Sequence, residues 1–198
     1  MGLLVQRERK LVGTKQTPYY SSYDRQASLV TSIAEALASG TRYHQADHLA
    51  EAERLYRQVL QVDPQNAPAL HLLGMLALQA RQFETAIELI GQAITIDGNQ
   101  AADHAKLGEA HRQLGHGEPA IACFRRAVQL QPDLAQAHAS LGQLLHAAGR
   151  TDEAVAALQT SLRLRGDVTT TRSLLGHALR DQGKLSEAEE CFRRVLLS

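Results

Sequence analysis

Residues 104–116 read HAKLGEAHRQLGH. Three histidines in so short a stretch raise the question of a metal site, since His104 and His111 are seven apart and share a helix face. The answer comes from the Leu107-Gly108 pair at its centre, which returns along the chain at a fixed interval. Gly40, Gly74, Gly108, Gly142 and Gly176 are separated by 34 residues each time. The residues before them are Ser39, Leu73, Leu107, Leu141 and Leu175.

Other positions keep the same period. Twelve residues after each glycine stands an alanine (Ala52, Ala86, Ala120, Ala154, Ala188), and four residues later a large apolar side chain (Tyr56, Ile90, Phe124, Leu158, Phe192). Three further on, the residue is small or β-branched: Val59, Ala93, Ala127, Ser161 and Val195. Apolar residues at intervals of three and four describe amphipathic helices, two per unit, with breaks near residues 48–50, 81–83, 116–118, 150–152 and 184–186. A Gly or Ala facing a neighbouring helix lets the two axes approach to ~8 Å. Glycine inside a helix costs roughly 1 kcal/mol relative to Ala, so its return in every unit indicates that close packing outweighs propensity. Pro64 and Pro132 end second helices, Gly98 and Gly166 take the same slot, and Pro119 falls in a first turn, where its missing N–H is not needed.

This 34-residue pattern of Leu-Gly, Ala, large apolar residue, Ala and Pro resembles the tetratricopeptide repeat family. The resemblance covers residues 33–198 as units 33–66, 67–100, 101–134, 135–168 and 169–198. It implies an all-α fold, a right-handed α-solenoid of about five helix-turn-helix repeats. Residues 1–32 are expected to be a partly disordered leader running into a first helix that begins near residue 26. The fourth residue of each unit departs from the family, which often has Trp there; this chain has Ala36, Leu70, His104, His138 and Arg172.

In this register the opening histidines become packing residues. His104 and His138 share one repeat position and His111 takes another, so imidazoles filling helix seams are expected, with His116 in the turn and away from them. No HExxH motif occurs and no carboxylate completes a ligand set at helical spacing, so neither a metal nor a cofactor is expected. Cys123 and Cys191 sit two units apart, on the order of 20 Å for helices stacked at ~8–10 Å, too far for a disulfide. No nucleophile elbow, phosphate loop or dinucleotide fingerprint is present, and the chain is expected not to be an enzyme. Glu187, Glu189 and Glu190 beside Asp181 read as a solvated face.

Composition narrows the partners. Lys+Arg and Asp+Glu are 21 each, which argues against nucleic acid or an anionic membrane as a whole-surface partner. Apolar residues make up 44% but aromatic ones only 4%, so Leu, Ala, Ile and Val must build the core. No apolar run approaches a signal-peptide core or a membrane span, and the expected location is the cytoplasm.

Stacked helix pairs offer an extended groove for a protein or peptide segment, and the resemblance implies that first helices line it. Carried over by position, the groove residues are His44, then His71, Met75 and Leu78, then Lys106, Glu109 and Arg112, then Gln143 and His146, and last His177, Arg180 and Asp181. Such a groove is apolar at its start and mildly basic toward its end. It suits a ligand with an apolar stretch followed by acidic groups, gripped by Arg112 and Arg180. The carboxylate clamp of chaperone-tail-binding relatives is not matched, since its places hold Leu37, Thr41, Leu72 and Pro68. The asparagine ladder of glycosyltransferase relatives is not matched either, with Ala38, Leu72, Lys106, Ser140 and Leu174 in its positions.

The ends of the chain add further expectations. The segment TPYYSSYD, with Tyr19, Tyr20 and Tyr23, is a candidate docking strip. Phe192, Val195, Leu196 and Leu197 would leave an uncapped apolar face, so that either the natural protein continues or the face pairs with a partner such as its own copy. The expected function is a non-catalytic scaffold binding a protein segment. The alternative is an N-terminal targeting module of a larger bacterial glycosyltransferase, sulfotransferase or methyltransferase, because ALHLLGMLALQ and IELIGQAI resemble the repeats that precede such domains.

Overall fold

The computed structural model describes residues 22–98, 100–165 and 169–197, with side chains from residue 32 onward except that of residue 165. Among the described residues the chain is helical and has no strand: α1 (Ser22–Gln45), α2 (Leu49–Val62), α3 (Ala67–Gln79), α4 (Phe83–Ile96), α5 (Ala101–Gln113), α6 (Gly117–Leu130), α7 (Ala135–Ala147), α8 (Thr151–Arg165), α9 (Thr169–Asp181) and α10 (Leu185–Leu196). The chain divides into two compact units, residues 1–35 and 36–198. Within the first, residues 22–35 are helical, so α1 begins at Ser22 rather than near residue 26. The rest of the expected leader, with Tyr19 and Tyr20, lies outside the described residues.

In the second unit each helix from α2 onward packs on the next, most extensively within the pairs α3/α4, α5/α6, α7/α8 and α9/α10. The odd helices also meet each other, α3 against α5 and α7 against α9. The repeating glycines explain the tight pairing. A Cβ built on Gly74 would stand 2.6 Å from Ile90 Cγ1, and one on Gly176 would stand 2.7 Å from Phe192 Cε1. The large residue sixteen positions on therefore fills the notch that the glycine leaves in the facing helix. The alanines between them, Ala52, Ala86, Ala120, Ala154 and Ala188, are buried without exception.

One conformation turns every pair. The fifteenth residue of each unit has positive φ: Asp47 61°, Arg81 59°, Gly115 74°, Gly149 74° and Gly183 77°. The following N–H bonds back five residues, as in His116 N to His111 O at 2.9 Å and Arg150 N to Leu145 O at 2.8 Å. This is the Schellman ending of a helix, which satisfies the last carbonyls of the first helix within the turn. The same residue's own carbonyl then accepts the first bond of the next helix, Ala120 N to His116 O at 3.1 Å and Ala154 N to Arg150 O at 3.0 Å. The turn is thus as short as the backbone allows. Between units, Asn66 caps α3 by accepting from Ala69 N at 3.1 Å.

Candidate functional site

The histidines of the opening stretch and its repeat take two arrangements, and both differ from the sequence expectation. His104 and His138 do not fill a buried seam. Each turns back to the carbonyl six residues earlier, His104 Nε2 to Gly98 O at 3.3 Å and His138 Nε2 to Pro132 O at 3.0 Å, so the imidazoles donate to loop carbonyls that close the preceding unit. His116 is not apart from the others either: its ring centroid is 5.6 Å from that of His111, with Nδ1 atoms 3.4 Å apart. The Schellman turn causes this, because it folds residue 116 back over residue 111. Burial, and then the neighbouring His116, pushes His111 below the usual imidazole range. Among the described residues no three His, Cys, Asp or Glu side chains gather as a metal set. Cys123 and Cys191 are free thiols, and burial pushes both above their ordinary pKa.

A recessed strip runs along α3 and α5. Pro68, His71, Met75 and Leu78 recur at helical spacing on one face of α3. Met75, Leu78, Lys106 and Glu109 line a hollow of about 460 Å3, joined by His44 and Gln79. His44 Nε2 lies 3.0 Å from Gln79 Oε1, and Gln79 Nε2 donates to Asp47 Oδ1 at 3.3 Å. The strip's polar margin is therefore cross-linked between successive repeats.

The arginines expected to grip a ligand are already engaged. Arg112 closes a two-pronged fork on Glu109, Nε to Oε2 at 2.8 Å and Nη2 to Oε1 at 2.6 Å, and Gln113 Nε2 adds a bond to Oε1 at 2.6 Å. Burial pushes the Glu109 carboxyl upward, but the bonds from Arg112 and Gln113, with the charges of Arg112 and Lys106, outweigh it and hold it below its ordinary value. At the other end Arg180 faces Asp181 Oδ1 at 3.4 Å, and His146 Nε2 donates to Asp181 Oδ2 at 2.8 Å. The hydrogen bond from His146, followed by that from Arg180, holds the Asp181 carboxyl below its usual range. Both arginines thus have a carboxylate partner within the chain, Arg112 in a close two-pronged fork and Arg180 in a longer, exposed contact.

The remaining candidates fall in different places. Gln143 is exposed on α7. His177 is drawn toward its own helix pair, its ring edge-on to Phe192 at 5.1 Å. Phe192 in turn is partly buried, packed against the last unit's core and against Gly176. Val195 is half-buried. Leu196 and Leu197 are exposed at 85% and 82%, with Leu185 at 67%.

One residue of the strip escaped the sequence reading. Asp103 is only 3% exposed, and His71 Nδ1 lies 2.6 Å from its Oδ1. The two atoms stand at ion-pair distance, and neither has another hydrogen-bond partner. The signal was available: the third residue of the neighbouring units is Ala69, Ala137 and Thr171, and a carboxylate there breaks the pattern.

A ladder of helix pairs with a recessed strip along its odd helices defines a helical-repeat protein of the interaction type. Tetratricopeptide repeat models match residues 43–107, 137–170 and 168–198, and a TPR repeat model matches residues 108–149. The chain belongs to the tetratricopeptide repeat family. No curated protein matches it. Among solved structures it is similar to a crystal structure of MamA, at 25% identity over 79% of this chain and 92% of that one, with a TM-score of 0.75. It is similar to MamA from Desulfovibrio magneticus RS-1 at 15% identity over 83% and 93%, TM-score 0.76. It also resembles YrrB, described as a TPR protein with an unusual peptide-binding site, at 16% identity over 89% and 91%, TM-score 0.79. No helix among the described residues is long and apolar enough to cross a membrane.

Proposed function

We propose that this chain is a non-catalytic scaffold that holds an extended segment of a partner protein along α3 and α5. The observation that carries the reading is the half-buried floor of Met75 and Leu78, flanked by the His44–Gln79 and Glu109–Arg112 pairs. A floor of this kind seats an apolar side chain, and margins already fixed by hydrogen bonds lose little freedom when a ligand binds. The fold shared with YrrB, for which a peptide-binding site is described, supports it. A cytoplasmic location accords with two free thiols.

The test uses capped nonapeptide pools built from Ser, Ala and Leu, with the central residue set to Leu, Gln, Arg, Lys or Glu. Titrated into the full chain, they are expected to shift the backbone amide signals of residues 71–79 and 106–113, and Leu78→Asp is expected to abolish those shifts. If no pool moves these signals, the groove reading is wrong.

A second reading rests on a different surface. Leu196 and Leu197 are exposed at the end of the last helix, and we propose self-association through them. Light scattering across a concentration series tests this: Leu196→Glu is expected to shift an assembly to monomer, and a wild-type chain monomeric throughout overturns it.

A further inference from the structure

We propose that the hollow at the start of α3 and α5 is a specificity pocket for one basic side chain, lysine or arginine, of the protein segment bound in the groove, with Asp103 as its counter-charge. The inference rests on the groove reading above and names the chemistry of its ligand.

The hollow measures about 260 Å3 and is walled by Ala67, Pro68 and Leu72, with His71, Asp97 and Asp103 as its ionisable residues. That is below the roughly 300–1,000 Å3 of a site for a whole small molecule, and fits a single side chain. No lysine or arginine lines it. Asp103 sits inside at 3% exposure, and apart from His71 Nδ1 at 2.6 Å its buried Oδ1 has no hydrogen-bond partner. A buried carboxylate served by one imidazole nitrogen at most gains from a cation that brings several N–H donors. His71, at 2.6 Å from it, has a side chain 30% exposed and must rotate away for a cation to reach Oδ1.

The fold does not require this carboxylate. The equivalent positions of the other units hold Leu37 and Ala69, Ala105 and Ala137, and Ala139 and Thr171, so His71 and Asp103 alone make that register ionisable. A buried charge absent from the sister repeats is explained by recognition better than by packing. The pocket also lies on the same α3 face as Met75 and Leu78, so a bound segment would place an apolar residue in one hollow and a basic one in the other.

The same peptide pools test this. The Arg and Lys pools are expected to bind about tenfold more tightly than the Gln pool, and the Glu pool more weakly still, with added shifts at the amides of residues 67–72 and 100–103. Asp103→Ala, which installs the residue of two sister repeats, is expected to erase the Arg and Lys preference while the Met75 and Leu78 signals still respond. Equal binding of the Gln and Arg pools overturns this inference and leaves the groove reading standing. A preference that persists in Asp103→Ala overturns it as well. Silence from every pool removes the groove reading and this inference with it.

Discussion

Gly142 and Leu158 interlock: a Cβ on the glycine would stand 2.6 Å from Leu158 Cγ and 3.2 Å from the Ala154 carbonyl oxygen. The second neighbour is backbone and cannot rotate away, so the helices must separate to admit even a methyl group. Gly142→Ala is expected to destabilise the chain by about 1–3 kcal/mol through overpacking. Gly91 is the internal control, because nothing lies within 4 Å of a Cβ built there. Gly91→Ala is expected to stabilise α4 by roughly 0.5–1 kcal/mol. Urea denaturation of both variants checks the pair, and equal signs would refute the packing account.

The turn residues give a second contrast. Gly149 and Arg81 share a left-handed conformation, with φ of 74° and 59°. A side chain there costs roughly 1–2 kcal/mol, so Gly149→Ala is expected to lower stability by about that amount. Arg81→Gly is expected to raise it, by less than 1–2 kcal/mol, because the guanidinium lies 5.8 Å over the Phe83 ring and that contact is lost. Thermal unfolding of both variants measures the difference.

His71 and Asp103 are expected to respond unequally. His71→Ala leaves a buried carboxylate with no ionisable neighbour at 2.6 Å, and should cost about 1–3 kcal/mol. Asp103→Ala removes the buried group and leaves a side chain that reaches solvent, so stability should hold or rise. Chemical denaturation of the two variants near neutral pH decides it, and equal losses would mean that the pair is a structural tie.

The Glu109 cluster sets an acid-side dependence. A carboxyl held below its ordinary value of about 4.5 adds stability that is present above that pH and lost as pH falls through the folded value. The stability difference between wild type and Glu109→Gln should therefore be largest above about pH 4.5 and shrink below it. A difference that stays constant across the acid range would show that Arg112 and Gln113 do not favour the charged form.

The 34-residue period settled most of the fold before any coordinate was known. It paired each glycine with the large residue sixteen positions on, because helix geometry fixes which residues share a face and small residues mark where two faces meet. The turn glycines Gly115, Gly149 and Gly183 carry the same period, but with Asp47 and Arg81 in the equivalent places the signal was broken and the sequence reading passed over it. The groove was legible only as positions. Whether Arg112 is open or closed on Glu109, whether His116 reaches His111, and whether His71 stands beside Asp103 are choices among rotamers of long polar side chains. Glu109 and Arg112 lie three residues apart and His111 and His116 five, whereas His71 with Asp103, like His44 with Gln79 and His146 with Asp181, joins helices 32–35 residues apart in sequence that are neighbours only after stacking. Apolar periodicity dictates the stack, since burial is non-directional and proportional to area. Hydrogen bonds and charge pairs are directional and short-ranged, so the partners that lie on helices of different repeats were decided by the tertiary structure alone.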